Sequence, residues 1–220
     1  MNIIYYDQRP RLHVAQELSE GEDKLARLMQ EKFGVKTIFS VGAQKDFDFC
    51  KIFKDQDVHL FEPNKFAFKE LINNDDLINN PNIHLNFFGI NDKEGYFTYY
   101  YNGESIYNHD GKDQKDVIFL TTLKKYMDSR NISNIDFIKI DVEGLEYEVI
   151  KSSEDYLDKI EFIQFEYGER YPLAGKTLGN MYDLLQGRYI YNVEKDVLRY
   201  AEYPVEHFHH SNYLASKIKL

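Results

Sequence analysis

Asp136-Phe137-Ile138-Lys139-Ile140-Asp141-Val142-Glu143-Gly144-Leu145-Glu146 is the most informative stretch of this 220-residue chain. The six residues from Ile135 to Ile140 are apolar except for Asp136 near the start and Lys139 inside. An acidic turn follows, and then a helical pattern near Glu146 to Ile150. A strand with apolar residues on both sides is buried on both faces, which is the signature of a parallel sheet. Period two predicts that Lys139, Asp141 and Glu143 share one side of this strand. A lone ammonium in such a core is costly, so Lys139 requires a partner, with Glu166 or Asp141 in reach.

Outward from this stretch the same rhythm recurs. Thr37-Ile38-Phe39-Ser40-Val41 reads as a buried strand ending at Gly42, Val58 to Phe61 as one ending at Glu62-Pro63, and Ile160 to Phe165 as one ending at Glu166. Ile83 to Phe88 is a further strand, and helices are expected near Cys50, over Lys65 to Ile72, from Leu123 and over Leu178 to Leu185. Strands alternating with helices predict an α/β fold, a mostly parallel doubly wound sheet with helices on both faces. Gly95 to Tyr101 alternates like an antiparallel strand. Tyr189 to Val193 and Tyr213 to Ile218 close the chain, with an antiparallel strand expected near the C-terminus. Residues 102–116 read as a polar loop that could cover an acceptor. A helix from Leu12 to Phe33, with a break possible at Gly21, suggests an N-terminal helical extension over 1–34 packed on a core domain over 35–220.

Ligands bind such sheets at the C-terminal ends of the strands, where strand order reverses. Gly42, Glu62, Asp141, Glu143 and Glu166 all fall at strand ends. Glu62 lies twenty positions after Gly42, the offset at which a carboxylate accepts the ribose hydroxyls of an adenosine. One glycine in the turn Val41-Gly42-Ala43-Gln44-Lys45-Asp46 is too few for a dinucleotide pyrophosphate, and Asp46 would face an anion. A nicotinamide-dependent oxidoreductase is therefore the weaker reading beside a cationic sulfonium ligand.

Composition narrows the class. Eighteen Tyr and sixteen Phe indicate a packed core. A net charge of −10 argues against a nucleic-acid partner. No apolar run is long enough for a membrane span. A single cysteine, Cys50, and no secretory pattern at the N-terminus point to a cytoplasmic protein.

The chain resembles the FkbM-type S-adenosylmethionine-dependent methyltransferases. The resemblance rests on Ser40-Val41-Gly42-Ala43-Gln44-Lys45-Asp46, Phe61-Glu62-Pro63-Asn64, Gly89-Ile90-Asn91-Asp92-Lys93-Glu94-Gly95, Thr122-Leu123 and Lys139-Ile140-Asp141-Val142-Glu143-Gly144-Leu145-Glu146, spanning residues 35–168. Ser40, Gln44 and Asp46 depart from the family's aspartate, asparagine and second glycine. The resemblance implies a class I Rossmann-like methyltransferase with S-adenosylmethionine as cofactor, methylating a hydroxyl of a sugar, glycan or small natural-product acceptor. It implies that Ser40, Gly42, Ala43, Gln44, Glu62, Pro63, Asn91 and Asp141 surround the cofactor. Asp141, Glu143 and Lys139 are the catalytic candidates, with Asp141 or Glu143 as base. His109 and the group His207, His209, His210 are lesser candidates. No metal is expected, although Asp141, Glu143 and Glu166 offer oxygen ligands suited to magnesium. A methyltransferase fold acting only as an interaction module is the alternative.

Overall fold

The structure, a computed structural model, describes residues 1–4, 15–100, 106, 114–207 and 209–220. In chain order, β1 (Asn2–Ile4) precedes α1 (Ala15–Leu28), which runs into a π-helical turn, Met29–Phe33. Then come β2 (Thr37–Val41), α2 (Phe47–Ile52), β3 (Asp57–Phe61), α3 (Lys65–Ile72), α4 (Asp75–Ile78) and β4 (Ile83–Asn86). The middle holds β5 (Gly89–Ile90), β6 (Gly95–Tyr100), β7 (Lys115–Thr121), α5 (Leu123–Arg130) and β8 (Ile135–Ile140). The last part contains α6 (Glu146–Lys151), β9 (Ile160–Tyr167), α7 (Leu178–Leu184), β10 (Tyr189–Val193), β11 (Val197–Tyr200) and β12 (Ser211–Ser216).

Nine strands form one sheet in the order β1-β11-β10-β12-β9-β8-β2-β3-β4. The block β9-β8-β2-β3-β4 is parallel throughout, whereas β12 and β10 enter antiparallel. Side-chain alternation splits the core into two layers. Phe39, Ile138 and Ile140 face Leu123 and Met127 of α5, Val149 of α6, and Leu178 and Met181 of α7. Ile38 and Phe137 face Leu25 of α1, the adjoining Met29, Phe49 and Cys50 of α2, and Leu71 of α3. Helices therefore cover both faces of an α/β, mostly parallel, doubly wound sheet.

Several expected boundaries shift for physical reasons. The strand expected over Ile83 to Phe88 stops at Asn86, because Gly89–Ile90 leaves the main sheet to pair with β7 in a separate sheet, β5-β7-β6. The polar segment expected over 102–116 gives up Lys115 and Asp116 to β7, paired antiparallel with β6. Gly21 does not split α1. A β-carbon there would lie 3.2 Å from the Glu194 carbonyl oxygen, so the glycine serves close packing. The expected helix residues Leu12, His13 and Val14, together with Tyr101, Tyr107 and His109, lie outside the described residues. Among the described residues, no helix is long and apolar enough to cross a membrane.

Candidate active site

Chain order reverses between β2 and β8. From β2 the sheet grows through β3 to β4 on one side and through β8 to β9 on the other, so the two strand ends open a crevice. Gly42 leaves β2 at φ +80°, and a β-carbon on it would sit 1.8 Å from the Asp141 carbonyl oxygen. The Asp141 N–H donates to the Val41 carbonyl (2.9 Å), and the N–H groups of Gly42 and Ala43 both donate to the Phe61 carbonyl (3.0 and 3.1 Å). Three strand ends are thus tied together at the floor of the crevice.

Glu62 is 3% exposed, directly after β3. Its Oε2 accepts the Gln44 N–H (2.8 Å) and its Oε1 the Asn64 N–H (2.7 Å). Two main-chain donors thus fix the plane of the carboxylate, while a carboxylate can accept about four hydrogen bonds in all. A cleft adjoins it, with about 580 Å³ of empty space when the open mouth is included. Its polar wall is Gln44, Glu62, Asn64, Asp141 and Glu143, beside Gly42 and Pro63; its apolar wall is Ile90, Tyr99, Ile106, Ile118 and Leu120. Asn91 is buried just beyond Ile90, its N–H on the Thr121 carbonyl (2.8 Å) and its side-chain oxygen on the Asp92 N–H. It adjoins the cleft without lining it.

Ser40, Ala43 and Lys139 lie behind this wall. Ser40 and Lys139 are register partners on β2 and β8 and point to the α1–α2 side. Ser40 Oγ donates to Asp46 Oδ2 (2.6 Å), and Lys139 Nζ donates to Asp46 Oδ1 (2.9 Å), with Glu22 Oε2 at 3.5 Å. The partners of Lys139 are therefore Asp46 and Glu22, not the expected Glu166 or Asp141. The flanking carboxylates raise its pKa well above the usual ammonium value despite burial. Asp46, the residue that departs from the family's second glycine, is thereby neutralised from behind.

The acidic turn also departs from period two. β8 ends at Ile140, and Glu143 adopts φ +59°, which turns its side chain to Arg170 (2.7 Å). Asp141, Glu146 and Glu166 instead bring carboxylate oxygens within 4.8 Å of one another. Glu146 is fully buried, and its Oε1 accepts the N–H groups of Val142 (2.9 Å) and Gly144 (3.3 Å), which shapes the turn. Tyr171 gives its one hydroxyl proton to the Glu166 carbonyl (2.9 Å). Glu146 Oε2, although beside that hydroxyl, is left without a donor among the described residues. Burial, then the charge of Glu166, pushes Glu146 up to about 8. Burial, then Glu166, also raises Asp141 well above the usual carboxylate range, with Lys139 opposing. At the rim, His210 Nδ1 lies 3.0 Å from Glu166 Oε1, and that hydrogen bond raises the imidazole pKa.

The sequence contained signals for some of this. Glu146 stood in the decisive stretch, four residues after Val142 at capping distance from the turn it closes. Arg170 and Tyr171 carried none, because a strand and a turn separate them from their partners. His207, grouped with His209 and His210 in sequence, is buried against Tyr213 (2.8 Å) and is part of the packing.

These groups suit an adenosyl sulfonium ligand. An anchored carboxylate closes β3, an apolar wall stands opposite it, and Asp141 brings a further carboxylate to the cleft. No curated protein matches the chain. Among solved structures, the METTL16 MTase domain aligns with a TM-score of 0.52 at 10% identity, over 95% of this chain and 71% of that one. A precorrin-6y C5,15-methyltransferase from Geobacter metallireducens GS-15 aligns at 0.49 and 12% identity, over 97% and 94% of the two chains. The family model described as the methyltransferase FkbM domain matches residues 40–193. With that match across most of its length, the chain belongs to the FkbM methyltransferase family and is an S-adenosylmethionine-dependent methyltransferase.

Proposed function

We propose that the enzyme methylates a hydroxyl group of a sugar, glycan or small natural-product acceptor, with Asp141 as the base. The observation that carries this reading is Asp141, which lines the cleft and has a carboxylate oxygen within 4.8 Å of those of Glu146 and Glu166. A neutral hydroxyl needs proton removal as it attacks, and a positioned base contributes roughly 10²–10⁴-fold. Glu143 is the poorer base, because its ion pair with Arg170 stabilises the charged form. Asp141 has a raised pKa and therefore more basic strength when ionised.

When bound, S-adenosylmethionine supplies an electrophilic methyl on a sulfonium. The chain's own residues bind and orient around it. Glu62 takes the ribose hydroxyls, and Gly42, Ala43 and Gln44 present the turn to the methionine portion. Pro63 and Ile90 flank the adenosine, with Asn91 holding the chain beneath it and Ser40 securing the turn through Asp46. Lys139 is a positioning residue whose charge, one layer behind, limits the rise of the Asp141 pKa. Tyr99 belongs to the apolar wall, where an aromatic ring suits packing against a sugar.

The test is a transfer assay with methyl-deuterated S-adenosylmethionine against nucleotide sugars, glycans, small polyols and RNA. The expected product is a deuterated methyl ether on a hydroxylated small molecule or glycan. Label appearing only on nitrogen, carbon or RNA would reject the acceptor class while leaving the cofactor site standing.

A further inference from the structure

A second group of chemistry-bearing side chains lies toward the opposite end of the sheet. His59 of β3 and His84 of β4 are direct register partners on adjacent parallel strands, and β4 is the sheet edge. Their rings stack at 4.4 Å with planes 16° apart. Both present Nε2 to one carboxylate: His84 Nε2 is 2.8 Å from Asp57 Oδ1, and His59 Nε2 is 3.2 Å from Asp57 Oδ2. One ligand atom from each residue lies within 4.8 Å of the others. We propose that Asp57, His59 and His84 bind a divalent transition metal of the zinc type.

Three features support this beyond the cluster itself. First, His59 is 3% exposed, and its Nε2 is a buried polar atom with no well-aligned hydrogen bond. Second, the other nitrogen of that ring is already held: His59 Nδ1 lies 2.8 Å from the Tyr126 hydroxyl. A ligand imidazole is normally oriented this way, its remote nitrogen bonded to an oxygen that fixes ring and tautomer. Third, the donor set is right for the ion. Two imidazoles and one carboxylate leave a fourth position for water and suit zinc, whereas magnesium and calcium prefer all-oxygen sites.

Protons balance without loss. Without a cation, His84 donates Nε2–H to Asp57 (2.8 Å), while the His59 Nε2–H faces the same carboxylate at 3.2 Å without an aligned hydrogen bond. With one, each ring shifts to the Nδ1–H tautomer: His59 donates to the Tyr126 oxygen, and half-exposed His84 donates to water.

Cobalt(II) titration of the purified, tag-free enzyme tests the site through its visible ligand-field bands, with zinc as competitor. One equivalent should produce bands of tetrahedral intensity that zinc abolishes. H84A, a change on the half-exposed sheet edge, should weaken binding by well over about tenfold, and Y126F by about tenfold, in line with oxygen partners of ligand imidazoles. Two results would overturn the proposal: no bands with the unmodified protein, or bands that persist in H84A and D57N but vanish in H209A or H210A.

Discussion

Gly42 and Asp141 approach so closely that a β-carbon on Gly42 would lie 1.8 Å from the Asp141 carbonyl oxygen. The contact fuses the ends of β2 and β8 into one floor and leaves room for a ligand only above it. Gly42→Ala meets backbone, not a yielding side chain, and must also hold φ +80°. It should cost more than about 1 kcal/mol of stability and abolish S-adenosylhomocysteine binding. Thermal unfolding and calorimetry check both parts. A variant with normal stability and affinity would show that the two strand ends do not need this contact.

Asp141→Asn keeps the shape of the side chain and removes the base. Turnover in a methyl-release assay should fall by about 10²–10⁴-fold, with the melting temperature little changed. Glu143→Gln should cost much less, because the Glu143 carboxylate is occupied by Arg170 at 2.7 Å. Near-normal turnover in the Asp141 variant would transfer the role to another group, with His210 and its Glu166 partner next in line.

How far the sequence led can be judged from these elements. The strands from Thr37 and from Ile135 were legible to the residue, because runs buried on both faces carry an apolar signal that no surface segment imitates. Gly42, Asp141 and Glu143 follow from those two strands and Glu62 from the end of β3, and all four line the cleft. Period-two reasoning then fails three residues past β8, where Glu143 turns to φ +59°. Lys139 shows a second limit. A strand pattern gives the face a side chain takes, here the α1–α2 face, but not which helix residues wait there. Asp46 and Glu22 were invisible as its partners for that reason. The strand Val197–Tyr200 and the Gly89–Ile90 pair are too short and too polar at their edges to announce themselves.

The carboxylate group should leave a pH signature on stability. Glu146 has a folded pKa of about 8 against an ordinary value of 4.5. Between those values the folded state binds more protons than the unfolded one, so stability falls as pH rises through this window. Asp141, also raised, acts in the same direction. Urea unfolding of Glu146→Gln at a series of pH values should show a shallower fall than the parent enzyme. An identical slope would mean that Glu146 holds no proton there.

The same group should distinguish the two forms of the cofactor. A sulfonium beside Asp141 favours its ionised form, so binding S-adenosylmethionine should release protons and strengthen as pH rises toward 8. S-adenosylhomocysteine carries no sulfonium and should bind with little pH dependence. Calorimetry in two buffers of different ionisation enthalpy measures the proton release, and equal release for both ligands would remove the carboxylates from the sulfonium.

Glu62 carries the most direct test of all. Its two oxygens are held by the Gln44 and Asn64 N–H groups at 2.8 and 2.7 Å, and the proposed function has this fixed carboxylate accept the ribose hydroxyls. Titration calorimetry with S-adenosylhomocysteine should give one equivalent of binding, weakened by about 1 kcal/mol or more in Glu62→Ala. Unchanged affinity in that variant would contradict an adenosyl site at the ends of β2, β3 and β8.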